Sequence, residues 1–524
     1  MIAADWGLFL HAHLPFVRHP EYEYFLEEHW LYEALAECYL PLLRRFYRLR
    51  DQGVPFKFTM SITPPLATML DDDLLRARFS KYLDRTMELA EKEVRRNEGD
   101  PAMVRLARFY LERTSIKRRF YEDTLGSRAL EGFCSLADSG HVEIVTCGAT
   151  HGFLPLLAYH PPSVQVQIEV AVKTHRRLLH REPAGIMLPE CAYYPGLEEV
   201  LAGQGLRFFL LDSHGLLYSK PRSLFGVFAP VHTPAGVAAF ARDQESSRQV
   251  WSAKEGYPGD PFYRDFYRDV GFDLHMDHVG PYVSPDGTRT FTGIKYHRIT
   301  GETDQKELYD PDIALEKARG HAANFVFNRE RQAEYITGFM DQRPLIVSPY
   351  DAELFGHWWF EGPDFLENVF LRMAQSVLRP VTFSGYLEQN PTHQVAVPCA
   401  SSWGDKGYYE VWLNGKNDWI WRYLHNVAIR MSERARNFTS PDPLRRRILN
   451  QMARELLLAQ SSDWPFIMTM GTSVAYADRR FRDHIDRFNQ LDSILGEGWD
   501  EEKLRKIEEV DNIFPDIDYR VYAK

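Results

Sequence analysis

Glu190, in the run LPECAYYP, and Asp351 with Glu353, in SPYDAELFGHWWFEGP, each close an apolar stretch and stand among aromatic residues. A carboxyl group surrounded by rings loses water, so its pKa rises and it can donate a proton at neutral pH. Two carboxyls from different strands that meet in one cleft are the minimal equipment for breaking a glycosidic bond. Strand-end acids also cap helices or pair with arginines, and residue type alone leaves both readings open.

Histidines form the second group. His11 and His13 of HAHLP are two apart and share a face if the run is a strand, and His151 closes a later run, HVEIVTCGATH. Such a set could begin a metal site completed by Glu190 or Asp351, or it could orient a carboxylate or a hydroxyl by hydrogen bonds. The third group is SSWGDKGYYEVWLNGKNDWIWRYLH (401–425), where Gly, Asn and Asp interleave with the rings. Trp412, Trp419 and Trp421 suit packing, whereas Trp403, set between Ser402 and Gly404, suits the wall of a cleft. Strand-linked GxGxxG, Walker A and GxSxG motifs are missing, so dinucleotide, nucleotide and serine-hydrolase readings have no hook.

Six short apolar runs must position these residues: 7–15, 55–64, 141–151, 184–194, 206–214 and 344–357. Their lack of clean alternation suits strands buried on both faces of a parallel sheet, and helical patterns such as 163–181 lie between them. Five of the six carry His, Glu or Asp towards the C-terminal end, where α/β sheets and barrels place catalytic groups. Residues about 72–134 are heavily charged with helical spacing and read as a solvated helical insertion. From about 420 the chain reads as helical, with Asp442-Pro443 as an N-cap and first-turn proline and 501–510 as a surface helix.

Composition sets the bounds. At 524 residues, 44% hydrophobic and 26% charged, the chain has material for a large core and no signature of disorder. A net charge of −11 argues against nucleic acid or an anionic membrane as partner. Cys38, Cys134, Cys147, Cys191 and Cys399 are odd in number and form no CxxC, which points to a reducing, cytoplasmic setting without disulfides or structural zinc. MIAADWGLFLHAHLP reads as a first strand rather than a signal peptide, and no apolar run is long enough to span a bilayer. Aromatics reach 14%, serving a thick core or sugar-stacking platforms alike.

HAHLP, GATHGFLPLL, LPECAYYPG, SPYDAELFGHWWFEGP and SSWGDKGYYEVWLNGKNDW, in that order, resemble the five sequence regions of glycoside hydrolase family 57. EGYPGDPFYRDFYRDVGFD, GIKYHRITGE and AQSSDWPF extend the likeness over nearly the whole chain, most closely to the α-1,4-glucan branching enzymes and related α-amylases. The resemblance implies an α/β fold: a distorted (β/α)7 catalytic barrel over 1–395 with the insertion, and a helical domain over 396–524 that covers the cleft. It implies α-glucan as substrate and a retaining mechanism without metal or organic cofactor. By motif, Glu190 would be the nucleophile and Asp351 the acid/base; His11, His13 and His151 would surround the sugar. Trp403 and Asp463 would bind glucan from the C-terminal side, and His297 and Gly301 would contact sugar. Trp358, Trp359, Trp412 and Tyr193 would offer further stacking faces. Two departures favour hydrolysis over transfer: the segment 225–252, where branching relatives carry a lid tyrosine, has none, and His297 stands where relatives often have Trp.

Overall fold

The computed structural model describes residues 2–252, 255–496 and 501–524. Its strands are β1 (Ala4–Ala12), β2 (Phe58–Ile62), β3 (Val142–Val145), β4 (Gly185–Ile186), β5 (Phe208–Leu211), β6 (Val231–His232), β7 (Ala238–Ala241), β8 (Leu345–Asp351) and β9 (Leu378–Pro380). They form two sheets, ordered β3-β2-β1-β8 with β9 on β1, and β4-β5-β7-β6. Every pairing is parallel except β6 with β7. The sheets are linked on both sides. Thr146, just beyond β3, pairs with Ile186 of β4, and the Asp243 amide after β7 donates to the Val347 carbonyl of β8 at 2.8 Å.

Every residue of β1 is buried, as its unbroken apolar run requires of a central parallel strand. The β1–β8 register sets His11 beside Asp351, so the histidine and the acid leave the sheet at the same end. The run at 184–194 behaves differently from the long strand expected. Ladder pairing stops after Ile186, because Pro189 has no amide to give and Glu190 and Cys191 turn left-handed at φ 62° and 49°. That turn swings the Glu190 side chain out of the sheet line.

The charged stretch after β2 folds as helices Asp73–Arg96, Pro101–Arg119 and Ala129–Asp138. It is less solvated than its charge suggests, for Leu75, Phe79, Tyr82, Leu83 and Leu89 are buried. Helices Trp419–Asn437, Pro443–Ala459, Asp463–Met470, Val474–Gly496 and Glu501–Val510 make the C-terminal part, and Asp442 caps the second by accepting from the Leu444 and Arg445 amides. All five cysteines are free thiols. Among the described residues, no helix is long and apolar enough to cross a membrane.

Candidate active site

A cavity of about 670 Å³ opens at the C-terminal ends of the strands. It is lined by His11, His13, His151, Glu190, Asp351, Trp358, Trp403, Trp412 and Asp463, bringing together nine of the thirteen expected site residues. The other four lie elsewhere. His297 pairs with Leu308 in an antiparallel bridge and Gly301, at φ 74°, turns the exposed loop beyond it; neither lines the cavity.

Glu190 is held by the C-terminal part of the chain. Trp403 donates its indole N–H to Oε2 at 2.9 Å, Ser462 donates its hydroxyl to Oε1 at 3.0 Å, and the Trp403 amide donates to the Glu190 carbonyl at 3.0 Å. Burial raises the Glu190 pKa, while the bonds from Trp403 and Ser462 favour the carboxylate and hold that rise back. Among the described residues, Asp351 has no such donors. Burial, then the charges of Glu353 and Glu190, push its carboxyl well above the usual range, against a smaller pull from Arg242. The environments thus differ: Glu190 is surrounded by donors that favour its carboxylate, whereas Asp351 is pushed towards its protonated form.

Glu353 is a third acid in the cavity. Burial pushes its pKa up to about 7, although it accepts from the Tyr39 hydroxyl and from the His13 amide. Arg242, at the end of β7, also reaches the cavity; Asp212, after β5, accepts from its guanidinium and fixes it there.

The histidines form a stack. The rings of His13 and His151 lie 3.8 Å apart at 12°, and His11 Nε2 is 3.0 Å from His151 Nε2. His151 Nδ1 lies 2.8 Å from Ser462 Oγ, and His13 Nε2 is 3.1 Å from both Asp463 carboxylate oxygens. Burial drives His11 and His151 towards the neutral form; in His13 burial is outweighed by Asp463, Glu190 and Glu353, which raise its pKa. Two of the three sets among the described residues that could hold a cation lie at this site, His11 with Cys147 and His151, and His13 with His151 and Asp463, each with ligand atoms within 4.8 Å. Their chemistry fits poorly. Imidazole lone pairs lie in the ring plane, so stacked rings do not converge on one ion, and His13 Nε2 carries the hydrogen it gives to Asp463 and so has no lone pair free there. Burial also keeps the Cys147 thiol protonated.

Aromatic residues wall the cavity. Trp403 meets Trp251 edge-on at 6.4 Å, and Trp358, 54% exposed, stacks on Phe266 at 4.3 Å and 20°. Trp412 touches the cavity but packs its ring on Phe153 at 4.4 Å. Two expected sugar platforms are core residues instead. Tyr193 is fully buried, stacks on Phe209 and donates its hydroxyl to Glu198 at 2.7 Å; Trp359 packs against Phe365 and Tyr263. Trp419 and Trp421 serve packing, on Phe481 and beneath the Trp412 carbonyl.

Sequence reasoning missed Trp30, Glu33, Arg242, Trp251, His357 and Ser462. The rule of polar residues at strand ends would have found Arg242. Trp251 carries no such signal, because it ends the helix Gln244–Trp251 and reaches the cavity only through the chain's path.

The family model for glycosyl hydrolase family 57 matches residues 7–398. The chain belongs to that family. A second model, for the C-terminal part of 1,4-alpha-glucan branching enzymes, matches residues 423–522. A 1,4-alpha-glucan branching enzyme of Thermococcus kodakarensis is 33% identical, over 96% of this chain and 76% of its own length. Among solved structures, the α-amylase AmyC of Thermotoga maritima is 46% identical with a TM-score of 0.94, covering 99% of both chains. The family 57 branching enzyme of Pyrococcus horikoshii is 32% identical with a TM-score of 0.90, covering 100% of this chain and 97% of its own. This family 57 enzyme is therefore similar along its whole length to proteins of both descriptions.

Proposed function

We propose that this enzyme is a retaining 1,4-α-glucan branching enzyme that also hydrolyses part of its substrate. The observation that carries the reading is the division of the acids within one cavity ringed by five indoles, those of Trp30, Trp251, Trp358, Trp403 and Trp412. Glu190, ionised and held by Trp403 and Ser462, attacks the anomeric carbon while protonated Asp351 gives its proton to the departing glycosidic oxygen. Asp351, now a carboxylate, takes the proton from the acceptor that releases the glycosyl-enzyme. A glucan 6-hydroxyl as acceptor makes an α-1,6 branch, and water makes a shorter chain.

Partition between these outcomes depends on keeping water from the intermediate. The segment 225–252 lacks a tyrosine, yet Trp251 near its end lines the cavity and meets Trp403 edge-on, an aromatic wall in the same segment. That contact supports transfer. The two linked sheets support reading β1 to β5, β7 and β8 as a distorted (β/α)7 barrel within residues 1–395, with 396–524 as a helical domain that completes the cleft.

A second reading, an α-amylase with little branching, is favoured by the 46% identity to AmyC. Incubation with amylose separates the two. New α-1,6 linkages without a matching rise in reducing ends are expected; reducing ends alone would make the enzyme a hydrolase.

A further inference from the structure

A second cavity, of about 240 Å³, lies between helix Leu40–Asp51, helix Pro101–Arg119 of the insertion and the chain around Phe360 and Glu361. No residue lines both this cavity and the active-site cavity. Its walls are apolar where Phe109, Phe120 and Phe360 face it, and cationic where Arg44 and Arg113 do.

The other lining charges are accounted for. Arg45 is bonded to Asp364, Lys117 donates to Glu37 at 2.8 Å, and Glu112 is exposed to water. Arg44 and Arg113 make no ion pair among the described residues. Arg113 instead lies over the Phe360 ring at 4.1 Å, with Arg264 over the same ring at 3.6 Å, and its Nε is buried without a partner. Arg44 feels this crowding: burial and the charges of Arg45, Arg48 and Arg113 lower its pKa. Neither guanidinium is bonded to a carboxylate among the described residues, although the charge of Arg113 also acts on Glu37 and that of Arg44 on Asp364.

One acceptor is also unsatisfied. Glu361 is 1% exposed; its Oε1 accepts from the Tyr309 hydroxyl at 2.7 Å and the Arg264 amide at 3.2 Å, while its Oε2 is buried with no partner. A buried polar atom left without a partner is unfavourable, and a ligand that donates to it relieves that penalty.

We propose that this cavity binds a small phosphorylated polyol, of the size of a hexose phosphate. Its phosphate sits between Arg44 and Arg113, a hydroxyl donates to Glu361 Oε2, and the C–H face of its ring lies on the phenyl rings. Paired guanidiniums match a phosphate dianion in charge and in hydrogen-bond geometry. The carboxylate wall selects against bare phosphate, which has no neutral polyol to place there.

Calorimetric titration of the full chain with glucose 6-phosphate, inorganic phosphate and glucose tests this. Glucose 6-phosphate is expected to bind once per chain, and phosphate or glucose alone about tenfold or more weakly. Arg44→Gln is expected to weaken binding about tenfold to a hundredfold, with the melting temperature and the activity on amylose unchanged. Arg113→Lys, which keeps the charge but loses the planar fork, should weaken it less than Arg44→Gln. The proposal is overturned if glucose 6-phosphate gives no heat up to about 10 mM. It is also overturned if Arg44→Gln binds as the parent does, or if maltotetraose displaces the ligand, which would put it in the active-site cavity. Branching or hydrolysis of amylose has no part in this readout, so either assignment of the activity leaves the result interpretable.

Discussion

Glu190 occupies a left-handed backbone conformation at φ 62°, one that costs a side-chain-bearing residue about 1–3 kcal/mol and persists only where the surroundings fix it. The fixing is visible: its carbonyl and both carboxylate oxygens are engaged, by Trp403 twice and by Ser462 once. Glu190→Gln removes the proposed nucleophile and is expected to lower kcat on amylose by about 10⁴-fold or more. Asp351→Asn removes the proposed proton donor and is expected to cost about 10²–10⁴-fold. Initial rates with unchanged far-UV circular dichroism check both; near-normal rates in either variant would reassign the pair. The pH profile follows from the same contacts. With the proposed roles, activity is expected to fall at low pH as Glu190 takes a proton, and at high pH as Asp351 loses one. Trp403→Phe keeps the ring but deletes a bond that favours ionised Glu190, so the Glu190 pKa rises further. The acidic limb of kcat/KM then moves to higher pH while the alkaline limb stays. An unmoved acidic limb would mean that the indole N–H does not tune the nucleophile.

At the scale of elements, the π-helical turn Ala34–Tyr39 joins the insertion to the site. Glu33 and Ala34 line the active-site cavity, and the Tyr39 hydroxyl donates to Glu353. Glu37, in its middle, accepts from Lys117 Nζ at 2.8 Å and Arg264 Nη2 at 3.2 Å. Burial opposes its ionisation, but Lys117, Arg264 and Arg113 outweigh burial and hold its carboxyl well below the usual range. A depressed folded-state pKa contributes stability that is complete above the ordinary carboxylate range and fades as pH falls through it. Glu37→Gln strands two buried cations and is expected to cost about 3–5 kcal/mol at neutral pH, less in acid, as read by denaturant titration. An equal loss at both pH values would show that the charge of Glu37 is not what stabilises the turn. Little of this was legible in the sequence, because partners such as Lys117 and Arg264 are remote along the chain and nothing in their spacing pairs them. What was legible were β1 and β8, whose apolar runs end in His11 and Asp351, since burial on both faces leaves a plain mark on composition. The run 184–194 misled about length, although Pro189 sits in it as a stop signal. Tyr193 misled about role: adjacency to an acid in sequence says nothing about which way a ring turns after a left-handed residue.

At the scale of the whole molecule, a length of 524 residues suits either about three domains or one large barrel with additions, and the buried core bears on how the parts are joined. One continuous cluster of buried apolar residues runs from Ala4 through Phe153 and Trp412 to Tyr522. Polar contacts cross the same boundary: the Thr150 hydroxyl donates to the Leu457 carbonyl, Gly152 pairs with Ser461, and His13 meets Asp463. The C-terminal helices therefore share one core with the strands, and the site is built across the seam. Asp442 tests this from a distance, since it caps helix Pro443–Ala459 and lines neither cavity. Asp442→Ala removes that cap at a cost of about 1 kcal/mol. In a shared core the loss is felt everywhere, so calorimetry is expected to give a single transition in parent and variant. Tryptophan fluorescence and loss of activity on amylose should fall at the same temperature, shifted down by the same amount in the variant. Two separated transitions, with only the one belonging to the C-terminal helices moved by Asp442→Ala, would show that the strands keep their fold without the helices that hold Glu190 in place.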